Sequence, residues 1–140
     1  MAISSAVCNS FKQEILVATH NFTASSGNTF KIALYTSSAS LGAGTTAYSS
    51  SNEISNTAGS AYSAGGATLT SVTPTLSSST AVCDFADVSY TSASFTANGA
   101  LIYNDDQSDK AVAVIAFGGD KTVSSGTFTI QFPTADASNA

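Results

Sequence analysis

The chain has no arginine, no tryptophan, one histidine (His20), two prolines and two cysteines, and only 9% of its residues are charged. Each scarcity excludes something. Arginine is the usual bidentate ligand for phosphate and carboxylate, and histidine the usual general base near neutral pH. Without them the chain lacks common equipment for nucleotide recognition and acid–base catalysis, and no enzyme is expected. The four cations are Lys12, Lys31, Lys110 and Lys121, against a formal net charge of −5. Nucleic-acid binding relies on basic residues displacing condensed counterions, so no nucleic-acid partner is expected. No apolar run approaches the roughly 20 residues of a membrane span. Met1–Val7 has no basic flank and is too short for a signal peptide, so synthesis in a cytoplasm, with no membrane partner, is the expectation.

What is abundant is serine and threonine, nearly a third of the chain, beside 43% apolar residues. That apolar content, over 140 residues, suffices for one domain with its own core. Typical soluble chains carry about 25% charged residues; here Ser, Thr and Asn must wet the surface, as suits a protein packed against neighbours. Cys8 and Cys83 have no zinc-ligand spacing and read as two buried thiols acting as small hydrophobes, with a disulfide left open.

Periodicity predicts a mainly β chain. One helix comes first: Ser10 and Gln13 fit a capping box, and Phe11, Ile15, Ala18 and Phe22 make an apolar stripe over Ser10 to about His20. That face either packs on its own domain or lies on a neighbouring subunit. Thr29–Tyr35 then alternates as a half-buried strand. Residues 37–66 form a long Ser/Thr/Gly-rich excursion whose large side chains are Leu41, Tyr48, Ile54 and Tyr62. Loops of that length are uncommon in compact domains and usually functional, which makes this the expected contact surface, pinned by those four residues. Further strands are predicted at Ala67–Thr73, ending at Pro74, and at Thr80–Phe85, Ser92–Thr96, Gly99–Tyr103 and Ala111–Phe117, with a last one over Phe128–Phe132. Asn98–Gly99 and Gly118–Gly119–Asp120 read as turns between them. The whole is an antiparallel β-sandwich of about seven strands with one short N-terminal amphipathic helix.

Few constellations suggest chemistry. Asn104–Asp109 is oxygen-rich, but it lacks the sixth-position glycine and distal glutamate of a calcium loop and reads as a turn. Asp84 and Asp87 flank a strand end and read as solvation rather than a glycosidase pair. His20 lacks a nucleophile-elbow serine and reads as a helix C-terminal histidine on the dipole. No cofactor or metal is implied.

Several strings together carry a resemblance: Ser10–Phe11–Lys12–Gln13–Glu14, Phe30–Lys31–Ile32–Ala33–Leu34–Tyr35–Thr36, Asn52–Glu53, Tyr62 with Ala64–Gly65–Gly66, Gly99–Ala100–Leu101–Ile102–Tyr103–Asn104, Lys110–Ala111–Val112–Ala113–Val114 and Gly126–Thr127–Phe128–Thr129–Ile130. With them the chain resembles a family of small virion structural proteins of tailed bacteriophages. The resemblance implies a virion component made in the bacterial host cytoplasm. Small size, acidity and β-richness suit a capsid decoration or cement protein on the major capsid protein, often a dimer or trimer on the particle. A tail, neck or fibre-base component is the alternative. A carbohydrate-binding module stacking sugars on Tyr48, Tyr62 or Tyr90 is a second one. Phe11, Ile15, Leu41, Tyr48, Ile54 and Tyr62 are the expected protein-contact residues, and deleting Leu41–Tyr62 should then release the protein with its sandwich intact. The polar segment Thr134–Ala140 reads as an unfinished strand end open to processing.

Overall fold

A computed structural model describes residues 2–55 and 59–139. In chain order the elements are strand β1 (Ala6–Val7), helix α1 (Asn9–Leu16), and strands β2 (Phe30–Tyr35), β3 (Ala67–Thr68), β4 (Ser71–Ser77), β5 (Thr80–Phe85), β6 (Val88–Asn104) and β7 (Lys110–Ile130). They make a five-stranded antiparallel sheet in the order β1-β7-β6-β2-β3 and a separate two-stranded sheet, β4-β5. The chain is thus mainly β with one short helix, and its layering is sandwich-like.

Side-chain alternation in β2 explains the layering. Phe30, Ile32 and Leu34 point into one cluster, while Ala33 and Tyr35 point into another. Leu101 lies opposite Ala33 and Ile102 opposite Ile32, so β6 divides its side chains the same way. The central sheet therefore has a core on each face. On the first, Ile54, Tyr62, Leu69 and Phe85 cover it, beside Tyr90 and Ala93 of β6 itself; on the second, Cys8 and Ala39, with Ile3, Leu41 and Tyr48 packed alongside.

The two longest strands differ most from the sequence expectation. Asn98–Gly99 is not a turn: β6 runs straight through it, and Gly99 pairs with Tyr35 on one side and Ala116 on the other. Glycine is needed there for close approach, since a Cβ would lie 2.7 Å from Ile3 Cγ2 and 2.8 Å from the Ile115 carbonyl. Gly118–Gly119–Asp120 is not a turn either. Between the pairs Ala97–Lys121 and Gly99–Ala116, one β6 residue faces four of β7, and Gly118 and Gly119 take positive φ (75° and 148°) to absorb the excess. Asn98 Nδ2 donates to Asp120 Oδ1 across this bulge at 2.8 Å. Pro74 does not end a strand; it sits inside β4, within the register shift between Val72 and Thr75, where a missing N–H breaks no ladder bond.

The helix is shorter than predicted and turned. Its N-cap is Cys8, with no side-chain cap, so the Ser10–Gln13 capping box does not form and Ser10 Oγ has no partner. Backbone carbonyls substitute: Asn9 N–H donates to Ala43 at 2.8 Å, and Cys8 N–H to Val112 at 2.9 Å. The helix stops at Leu16, where Thr19 N–H folds back to the Glu14 carbonyl and Ala18 adopts φ 60°. Glu14, rather than Ile15, is its buried residue. The cysteines are free, Cys8 buried and Cys83 exposed; Cys83 departs from expectation because β5 buries Val82 and Phe85 instead.

Two glycines of the excursion separate conformational from steric demand. Both Gly59 (φ 85°) and Gly66 (φ 82°) are left-handed, but a Cβ on Gly59 meets nothing, whereas on Gly66 it collides with the Ile32 carbonyl and Ala33 Cα. Gly59→Ala is expected to cost about 1–2 kcal/mol and Gly66→Ala about 4 kcal/mol or more, read from urea denaturation midpoints. Equal losses would contradict this packing.

Candidate interaction surface and the network that holds it

Residues 37–66 contain one formally charged side chain, Glu53. The segment 52–54 lies along β2: Ile54 N–H donates to the Leu34 carbonyl at 3.0 Å and Thr36 N–H to that of Asn52 at 2.9 Å. This short pairing delivers the Glu53 carboxylate to a set of waiting donors. Oε1 accepts the Tyr62 hydroxyl at 2.5 Å and Gly65 N–H at 2.7 Å, and Oε2 accepts the Tyr48 hydroxyl at 2.7 Å. Tyr62 Oη in turn accepts Leu34 N–H at 3.0 Å.

Two more tyrosines extend the clamp. Tyr103 donates to the Gly65 carbonyl at 2.6 Å, and Tyr35 to that of Ser49 at 2.7 Å. Tyr48 stacks on Tyr103 with centroids 4.7 Å apart and planes 18° from parallel. Burial, reinforced by hydrogen bonding to the Glu53 carboxylate, pushes the Tyr48 hydroxyl up to about 12. Burial does the same to Tyr90, also to about 12, and raises Tyr35, Tyr62 and Tyr103. The excursion, over residues 37–55 and 59–66, is thus tied to the fold at many points. Its outer side presents Ser40, Ala43, Thr46, Ser49, Ser50 and Ser51, all exposed and none ionisable.

The expected contact residues divide accordingly. Ile54 and Tyr62 are buried in the first core, and Leu41 and Tyr48 pack against the second. Phe11 lies between the two cores, its ring 4.9 Å from His20 and edge-on to Phe22 at 6.0 Å. Ile15 alone of the six is substantially exposed, at 40%, beside Leu16 at 84% and Val17 at 62%. The four large side chains of the excursion therefore serve as its internal fixings, and its exposed side is made of the small residues between them. Deleting Leu41–Tyr62 would remove core side chains and so would not leave the sandwich intact. Nor are the tyrosines open platforms for sugars: Tyr62 and Tyr90 are buried, and one face of Tyr48 is occupied by Tyr103. Sequence reasoning passed over Glu53 as a site and the apolar trio at the helix end. A lone charge inside a long uncharged segment, with a tyrosine on either side, was the available signal.

His20 is not on the helix dipole. It folds back so that Nε2 meets Glu14 Oε2 at 2.7 Å, while Nδ1 meets Asn104 Nδ2 at 2.9 Å. The same amide donates to Asn28 Oδ1, which accepts Asn21 N–H, and Asn104 Oδ1 accepts Asp106 N–H. Those bonds fix the Asn104 amide, so Nδ1 accepts and the ring proton sits on Nε2, donated to the carboxylate (a tautomer assigned from the network). Both nitrogens are committed, and the imidazole is fully buried.

The acidic turn is likewise occupied: Asp106 Oδ2 accepts Thr29 N–H at 2.6 Å and Asp105 pairs with Lys31 at 3.5 Å. Asp84 and Asp87 accept the backbone N–H of Phe85 and Phe132, each at 2.8 Å. Among the described residues no group of three or more His, Cys, Asp or Glu side chains could hold a metal, and no helix is long and apolar enough to cross a membrane. No family model, curated protein or solved structure matches the chain.

Hydrogen bonds to a charged group contribute about 1.5–3 kcal/mol each, and Glu53→Ala orphans three donors. The expected loss is about 3–5 kcal/mol, against about 1 kcal/mol for Tyr48→Phe, both by urea denaturation. The raised tyrosine pKa values fix a pH dependence as well. Unfolded tyrosine ionises near 10 and the folded hydroxyls higher, so the neutral form favours the fold. Their stabilisation is complete below about pH 10 and lost as pH climbs through the folded values, about 12 for Tyr48 and Tyr90. Tyrosinate absorbance should rise together with loss of folded signal; five tyrosines ionising near pH 10 in a folded chain would contradict the clamp.

Proposed function

We propose that this chain is a non-enzymatic virion structural protein, a decoration or cement protein seated on the outer surface of a tailed-phage head beside the major capsid protein. The observation that carries the reading is the excursion's outer face, held rigid yet free of ionisable groups. Interface cores are depleted of charge, because a charge taken out of water must be repaid by a partner. A surface of Ser, Thr, Ala and Gly meets no such cost. Its rigidity matters equally, since ordering a loop on docking subtracts from affinity. On a symmetric shell, many modest contacts of this kind sum to firm attachment.

The virion resemblance supplies the setting, and the committed state of His20 and of the aspartates is consistent with a binding rather than a catalytic role. The test is particle composition and position. Mass spectrometry of purified particles should find the chain at copy numbers comparable to the major capsid protein, and cryo-microscopy should place it at repeated sites on the head. Absence from particles, or a few copies confined to the tail, would overturn the proposal. A second arm uses Thr46→Lys with Ser51→Lys, both on the exposed face. The pair should keep the wild-type melting temperature and lose head occupancy.

A further inference from the structure

Two apolar features lie away from the excursion. One is a concave groove of about 580 Å³ walled by Ile115, Phe117, Phe128, Ile130, Phe132 and Pro133, with Lys121 at its rim. Among the described residues, Lys121 is the one lysine with no hydrogen-bond or ion-pair partner; Lys12 reaches Asn9, Lys31 reaches Asp105 and Lys110 reaches Glu14. The groove thus combines apolar walls with an uncompensated positive charge. It asks for an apolar side chain beside an acid.

The other feature is the β4–β5 hairpin. Two-stranded sheets are marginal in water on their own. This one is tethered through Phe85, against Phe22, Phe30 and Phe132, while β4 keeps every residue but its first and last exposed. Leu76 is 73% exposed and Val72 45%, and the hairpin carries Asp84 but no lysine. Asp136 is held against it, because Ala137 N–H donates to Ser77 Oγ at 3.1 Å. Leucine beside carboxylate is what the groove lacks.

The geometry points to self-association: the β4–β5 hairpin of a second copy of this chain seats Leu76 in the groove, with Asp136 facing Lys121. Contact between two different patches closes either reciprocally, as a pair, or one way round a ring. The inference is independent of the particle reading, because the contact is between copies in solution.

Sedimentation equilibrium of the full chain under reducing conditions, which keep exposed Cys83 from cross-linking, tests it directly. The wild type should associate reversibly. Leu76→Ser should weaken association by about 10- to 100-fold, the range for losing a buried leucine anchor. Lys121→Glu and Asp136→Lys should each weaken it by about 2- to 5-fold, as rim charges do. Lys121→Glu combined with Asp136→Lys should recover most of that loss. Leu76 and Lys121 lie outside the cores, so Leu76→Ser and Lys121→Glu should leave the monomer melting temperature unchanged and separate lost contact from lost fold. Asp136 Oδ1 also accepts Ser138 N–H and the Asn139 N–H and Nδ2 of its own copy, so the Asp136→Lys arm is read by its recovery in combination with Lys121→Glu. A wild type that remains monomeric, association unaffected by Leu76→Ser, or association abolished instead by Leu16→Ser at the helix end would each overturn the inference.

Discussion

The carboxylate of Glu53 organises more of this molecule than any other single group. It accepts hydrogen bonds from Tyr48, Tyr62 and Gly65, three contacts spread over a segment with almost no secondary structure. Isolated bridges at Ile3–Leu41, Tyr35–Glu53 and Ala47–Lys110 hold the segment to the sheet at three points, and the carboxylate ties together the side chains and backbone between and beyond them. The tyrosines serve in two ways at once. Their rings pack in or against the cores, while the hydroxyls of Tyr48 and Tyr62 reach the Glu53 carboxylate and those of Tyr35 and Tyr103 the Ser49 and Gly65 carbonyls, the amphipathic use that tyrosine suits.

A second buried polar chain plays the same part at the other end of the sheet. Glu14, His20, Asn104 and Asn28 link the helix, the loop after it, the segment leading into β2, and the end of β6. Each member is satisfied by the next, which is the condition under which buried polar groups specify a fold rather than weaken it. It also explains the helix. Glu14 must face inward to meet His20, so the helix rotates away from the stripe drawn through Phe11 and Ile15, and Ile15, Leu16 and Val17 are left outside.

Legibility followed local periodicity. The strands at Phe30–Tyr35 and Thr80–Phe85 could be placed from consecutive residues, but their burial could not: β2 is covered on both faces rather than half-buried, and β5 buries Val82 and Phe85 with Cys83 exposed. The long hairpin could not. Asn98–Gly99 and Gly118–Gly119 are ordinary turn signals, and only the partner strand reveals that the first is a close-packed crossing and the second a bulge. Ser10–Gln13 failed for a related reason: a neighbouring carbonyl, from Ala43, had already taken the amide that a cap would serve. The excursion was recognisable as unusual, and its large side chains as its fixings, but Glu53 stood only within the Asn52–Glu53 string, because nothing local in the sequence says which donors a lone acid will meet.

The scarcity of charge that marks the composition acquires a structural meaning once the partners of each charge are known. Glu14 and Glu53 work inside the fold, Asp106 and Asp87 hold backbone amides, and Lys31 and Asp105 neutralise one another. Lys12, Lys121, Asp87, Asp105, Asp106 and Asp120 stay exposed, but none lies in residues 37–66, whose exposed positions fall mostly to serine, threonine and alanine. Such faces are soluble through hydroxyl and backbone hydration rather than through charge, and they can be covered without stranding an ion. A surface of this kind loses little when another protein lies on it, and that property follows both from how few charged side chains there are and from where they were placed.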